Sequence, residues 1–107
     1  MSGIDEAGPH RATGLVDYQD GAVVSRTLLK RATGNVTVFA FDRGQALSEH
    51  TVPHDALVQV LEGVAEIRIE GETHRVTGGE LIRMPGGKPH AVVALERCKM
   101  LLTLIRG

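Results

Sequence analysis

Residues 66–76 read Glu-Ile-Arg-Ile-Glu-Gly-Glu-Thr-His-Arg-Val. Ile67 and Ile69 alternate strictly with Glu66, Arg68 and Glu70, the period-two pattern of a strand with one dry and one wet face. Glu70-Gly71-Glu72 then supplies a tight turn, and Thr73–Val76 returns as the partner strand of a hairpin. Neither segment is long enough, or free enough of glycine, for a stable helix.

The same grammar continues on both sides. Upstream, residues 22–30 (AVVSRTLLK) end near Gly34-Asn35, residues 36–41 (VTVFAF) are closed by Asp42-Arg43-Gly44, and residues 56–61 (ALVQVL) run to Glu62-Gly63. Downstream, residues 81–84 are stopped by Pro85-Gly86-Gly87, and residues 90–95 and 99–105 complete the set. Roughly eight to ten short strands at about 8–12-residue spacing predict an antiparallel sandwich or barrel. Residues 1–12 are polar and read as a flexible N-terminal arm, leaving 13–107 as one all-β domain.

Composition limits the function. Twelve basic and 13 acidic residues give a net charge of −1, so no electrostatic footprint for nucleic acid or an anionic membrane is expected. With three aromatic residues there is little to build stacking platforms for single strands. The lone Cys98 excludes an internal disulfide and a Cys-rich zinc site. Cys98 reads as a small buried hydrophobe. No apolar run reaches the roughly 18 residues of a membrane span, and Met1–Glu6 carry no signal-peptide pattern. A cytoplasmic location is expected.

Strand parity sorts the faces. Val58, Val60, Ile67, Ile69, Val92 and Ala94 are expected to line an apolar interior pocket. Two strands are apolar on both faces: Val36, Val38 and Ala40 oppose Phe39 and Phe41, and Leu102 and Leu104 oppose Leu101 and Ile105. Such strands need cover on both sides, which predicts a homodimer packed sheet to sheet, with a folded-over loop or N-terminal arm as the alternative.

Of five histidines, His10 sits in the arm and His74 is expected to point outward from the hairpin. His50 and His54 flank Thr51-Val52-Pro53, and His90 follows the turn 85–89. In extended chain an i, i+4 pair is about 13 Å apart, too far for one ion unless Pro53 bends the backbone.

Gly44, His50 and Gly63, in that spacing, resemble the first motif of the cupins, G-x5-H-x-H-x(3,4)-E-x6-G. Gly79, Pro85, Gly87 and His90 match the second, G-x5-P-x-G-x2-H-x3-N. The resemblance covers residues 44–94 and implies a double-sheet jelly-roll barrel. It also implies a divalent metal held by two histidines and a glutamate of the first motif and one histidine of the second. Here the second histidine position is Val52, the glutamate position is Ala56, and the closing asparagine is Ala94. His54 lies off the pattern as a substitute third ligand. The expected ligand set is therefore His50, His54 and His90, for Zn, Fe, Ni, Cu or Mn.

Two functions follow from that resemblance and from the residues. One is a module that binds or senses a compact, largely apolar organic molecule carrying one carboxylate or carbonyl. The other is a metal-dependent dioxygenase, isomerase or decarboxylase acting on a small organic acid or carbonyl compound. No inward-facing acid or base is evident by parity, and Glu49 and Asp55, beside the histidines, read as solvated loop charges.

Overall fold

The computed structural model describes residues 8–106; of the expected arm, residues 1–7 lie outside the described residues, as does Gly107. A single 3-10 turn, Ala12–Gly14, precedes nine strands. These are β1 (Val23–Arg31), β2 (Gly34–Phe41), β3 (Ala46–His50), β4 (Asp55–Glu62), β5 (Val64–Ile69), β6 (Glu72–Thr77), β7 (Leu81–Met84), β8 (His90–Ala94) and β9 (Cys98–Ile105). Eight of them fall where alternation and turn residues place them. The ninth, β3, carries no apolar alternation and was not expected.

The strands form two antiparallel sheets, β1-β2-β9-β4-β7 and β3-β8-β5-β6. This is the expected all-β double-sheet jelly roll. The hairpin of residues 66–76 is present, with Glu66 opposite Arg75 and Ile67 opposite His74. At its tip Glu70 and Gly71 both take positive φ, 50° and 80°, the pairing of signs that a two-residue hairpin turn requires.

Between the sheets lies one contiguous core that includes Phe41, Val58, Val60, Ile67, Met84, Val92, Cys98 and Met100. Phe39 and Phe41 both face this interior, their rings stacked at 5.9 Å. They are thus unavailable as part of a dimer face. Val38 and Ala40 face outward and are nonetheless fully buried. Their cover comes from within the chain: Leu15, Val16 and Tyr18 pack over Leu28, Val38, Ala40, Leu61 and Leu101.

Polar contacts tie this strap down. Tyr18 donates its hydroxyl to Glu62 at 2.6 Å, and its ring lies under Arg97 and Lys99. Lys99 donates to the Thr13 carbonyl oxygen, and Arg97 pairs with Asp42 and Asp20. The Gly21 N–H, Arg97 and the Arg43 N–H hold the Asp42 carboxyl at about 2, well below the usual carboxylate range. The strap covers one end of the outer face only. At the other end Leu29, Leu57 and Ile105 remain 50, 41 and 62% exposed.

Gly63, the last glycine of the first motif, turns β4 into β5 at φ +83°. A Cβ there would sit 1.9 Å from the Arg97 carbonyl oxygen and 2.7 Å from the Cys98 Cα. Gly71 has a similar φ, with open space around it. Gly71→Ala should therefore cost about 1–2 kcal/mol, the left-handed backbone penalty alone. Gly63→Ala adds a backbone clash of about 1–3 kcal/mol or more, so its thermal midpoint should fall well below that of Gly71→Ala. Equal midpoints for the two variants would refute the close approach.

Candidate functional site

His90 opens β8, where it shares a face with Val92 and Ala94. All three are buried, so the imidazole points between the sheets. β8 is a central strand, and His90 stands opposite Ile69 of β5 on one side and His50 of β3 on the other. The β3–β8 ladder is irregular. Leu47 opposes Val92, yet His50 opposes His90, so three residues of β3 span two of β8. A bulge of one residue between Leu47 and His50 thus restores His50 to the inward face that Leu47 occupies. In an unbroken ladder Glu49 would face His90.

The two imidazoles meet edge to face, with centroids 4.4 Å apart. The His50 Nδ1–H donates to the Ser48 carbonyl oxygen at 2.8 Å, and the His90 Nδ1–H donates to the Lys88 carbonyl oxygen at 3.3 Å. A carbonyl oxygen only accepts, so these contacts assign the ring hydrogen to Nδ1 in both residues. Both Nε2 atoms are left as lone-pair donors, and they face each other at 3.2 Å. Burial, and then the neighbouring His50, hold the His90 imidazole below its ordinary pKa, which favours the neutral ring. At this spacing the two nitrogens either share a hydrogen or bind one cation between them. Zinc–imidazole bonds of about 2.0–2.1 Å at a tetrahedral angle separate two nitrogens by roughly 3.3 Å. The donor pair fits a divalent ion.

His54 goes elsewhere. The Gly87 N–H donates to the Val52 carbonyl oxygen at 2.8 Å and the Gly86 N–H to the Asp55 carboxylate at 2.7 Å, clamping residues 52–55 onto the 85–87 turn. Gly86 permits the clamp, since a Cβ there would lie 2.7 Å from the Pro53 carbonyl oxygen. His54 then lines a shallow hollow with Pro53, Asp55, Gly86 and Ile105, the last an outward residue of β9. Among the described residues, no three His, Cys, Asp or Glu side chains form a group able to hold a metal. The expected three-histidine set is thus reduced to a pair, because the Pro53 bend serves the turn contact.

The interior pocket also needs correction. Val58, Val60 and Ile67 are 0% exposed, and Val92 and Ala94 are 1% exposed. Side chains this inaccessible touch no space large enough for a water molecule, so they are core and line no open cavity. Ile69 alone reaches the surface, lining a hollow of about 320 Å³ with Glu70, Glu72, His74, Ile82, Arg83, Pro85 and Lys88. His74 contradicts its outward assignment. As the cross-strand partner of Ile67 it takes the inward side of β6, half-buried at the seam between β6 and β7.

The cupin domain family matches residues 37–104. The chain belongs to the cupin family. Among solved structures it is 41% identical to a conserved protein of unknown function, SPY1581 from Streptococcus pyogenes, over 97% of this chain and 91% of that one, at a TM-score of 0.93. A cupin 2 conserved barrel domain protein from Leptotrichia buccalis is 36% identical over 88% of this chain and 46% of that one, at a TM-score of 0.84. KdgF from Halomonas is 25% identical, over 94% of this chain and 96% of that one, at a TM-score of 0.73. No curated protein matches the chain.

Against the cupin motifs, the structure shows what the departures at the two ligand positions of the first motif do. Ala56 is buried, opposite Met84 and Leu104, and Val52 is half-buried with its carbonyl taken by Gly87. Neither side chain can ligate. Asp55 is occupied by the Gly86 N–H and Arg83, and the Gly86 N–H chiefly holds its carboxyl below the usual range. Sequence reasoning missed the Ser48 and Lys88 carbonyls, whose roles leave no trace in residue type. It also missed the bulge, whose one signal is the parity mismatch between Leu47 and His50.

Cys98 is fully buried at the start of β9, and burial pushes its thiol up to about 11. It should be inert to a disulfide reagent in the folded protein at pH 8 and react fully in denaturant. Rapid labelling of the native thiol would show otherwise.

Proposed function

We propose that this cupin is a small-molecule-binding module whose ligand site is the barrel mouth at His50 and His90, and that this pair holds a divalent metal ion. One observation carries the reading: two Nε2 atoms 3.2 Å apart, each freed by a backbone contact at its own Nδ1. Bound there, Zn, Fe, Ni, Cu or Mn supplies a Lewis-acid centre for a carboxylate or carbonyl oxygen. The Ser48 and Lys88 carbonyls fix both rings in the ligating tautomer. Ile69, the strand partner of His90, also lines the hollow with Ile82 and Pro85, which suits the apolar body of a compact ligand.

Binding is favoured over the alternative of a metal-dependent dioxygenase, isomerase or decarboxylase. Among the described residues, no carboxylate or thiol is grouped with the two histidines to serve as general acid or base. No described helix is long and apolar enough to cross a membrane. We place the protein in the cytoplasm, in keeping with its single cysteine being a buried free thiol.

Equilibrium dialysis against zinc or cobalt tests the site. His50→Ala and His90→Ala should each lose binding, while His54→Ala and His74→Ala keep it. Retention by the His90 variant, or loss in the His54 variant, would overturn the assignment.

The same proposal includes a homodimer. A second copy would cover the half of the outer face that the strap leaves open, at Leu29, Leu57 and Ile105. Light scattering at micromolar concentration should give twice the chain mass, and Leu57→Lys with Ile105→Lys should halve it. A monomer mass for the unaltered protein would contradict the dimer.

A further inference from the structure

We infer that the open edge of β1 is a docking site for an extended acidic segment of another protein, which pairs with residues 23–27 as an added strand. β1 ends the five-stranded sheet and is bonded to β2 alone. The Asp42 N–H donates to the Ala22 carbonyl oxygen, and an antiparallel ladder bonds alternate pairs. Val24 and Arg26 therefore turn their backbone groups to β2, whereas Val23, Ser25 and Thr27 turn theirs to the edge. The next ladder agrees. The Arg106 N–H donates to the Thr33 carbonyl oxygen, and the same alternation gives Phe39 to β9 and Val38 to Arg26 of β1. Among the described residues, no backbone hydrogen bond reaches Val23, Ser25 or Thr27 from outside the sheet.

An extended chain is what satisfies such a row of alternate donors and acceptors. Beside the row lies a hollow of about 530 Å³ between the strap and β1. Half-buried Leu15, Tyr18 and Val24 line it together with exposed Asp17 and Arg26. It seats every second side chain of an added strand on the outer side of the sheet, where Val24 already packs against the strap. The register shift between Thr27 and Leu29 ends the regular row.

Charge chooses the partner. β1 carries Arg26, Lys30 and Arg31 and no acidic residue. A second copy pairing edge to edge would set these cations against their own kind, and like charges on facing strands are destabilising. An acidic strand is attracted by the same side chains, which also steer its approach. Asp17 offsets one of the three charges at the hollow, and two remain along the edge.

The probe is an acetylated octapeptide of alternating glutamate and valine, with a lysine–valine octapeptide as its counterpart. Fluorescence anisotropy with the full chain at low salt should show the acidic peptide binding about tenfold more tightly or better, and high salt should shrink the difference. Lys30→Glu with Arg31→Glu should abolish the preference. Amide hydrogen exchange reads the geometry: Ser25 and Thr27 should exchange faster than Val24 and Arg26 in the free protein, and the bound peptide should slow them.

Thr27→Pro removes one edge donor and leaves the β2 ladder intact, so it should fold normally and bind about tenfold more weakly. Because a proline can still unfold a strand, the fully N-methylated acidic peptide makes the same test from the other side, keeping the charge and losing the pairing. No binding, equal binding of the two peptides, or binding that leaves Ser25 and Thr27 exchanging as before would overturn the inference. Binding that requires removal of residues 1–7 would also overturn it, by assigning the edge to the chain's own start.

Discussion

The bulge between Leu47 and His50 is the constraint on which the site depends. A strand alternates its faces without exception unless a residue is inserted, so Leu47 and His50, three apart, belong to opposite faces of a regular β3. The inserted residue puts them on the same face, with Leu47 against the core and His50 against His90. β8 is held on its other side by β5 through five successive pairs, from Ala65–Ala94 to Ile69–His90, so His90 cannot drift to meet its partner. The adaptable element is the edge strand β3, and the distortion resides there.

Everything behind the histidines is filled. The inward residues of so small a barrel complete its core, as those of β4, β5 and β8 do here, and the proposed ligand site is thereby confined to the mouth. The fixed backbone around that mouth comes from close contacts that glycine permits. Gly86 presses against the Pro53 carbonyl there, and Gly63 presses against Arg97 and Cys98 at the opposite end of the barrel. At the opposite end of β9 from Ile105, Arg97 and Lys99 clasp Tyr18, so the chain supplies its own cover for part of the outer sheet. The apolar outer face thus has two halves with different fates. The one near Val38 is closed by the strap, and the one near Leu57 is open.

Most of the strands were legible because each pairs an alternating or β-branched run with a turn former of known stereochemistry. Gly71 in the hairpin and Pro85-Gly86-Gly87 before β8 are examples. β3 was not legible, since of Ala46–His50 only Leu47 is half-buried and the others are exposed, His50 included even though its ring meets His90. Its strand character comes entirely from pairing with β8, a tertiary effect. His54 misled for a related reason. A proline between two histidines shows that the chain bends but not what it bends toward, and here it bends toward Gly86 and Asp55's hydrogen bond. His50 and His90 were legible from motif spacing alone, whereas the carbonyls that orient them were not. Parity correctly named the inward residues Val58, Val60, Ile67, Val92 and Ala94. It carries no information on whether the space between them is empty, which depends on how closely the two sheets pack.

The central claim is that His50 and His90 act as one donor pair through Nε2. Long-range nitrogen–proton correlation NMR, on protein labelled with nitrogen-15 at histidine, tests it most directly. With one equivalent of zinc present, both rings should carry hydrogen on Nδ1, and both Nε2 resonances should move together to values of coordinated nitrogen. The signals of His10, His54 and His74 should stay where they were. A hydrogen on Nε2 of either His50 or His90 in the zinc-loaded protein, or a zinc-induced shift confined to other histidines, would contradict the account.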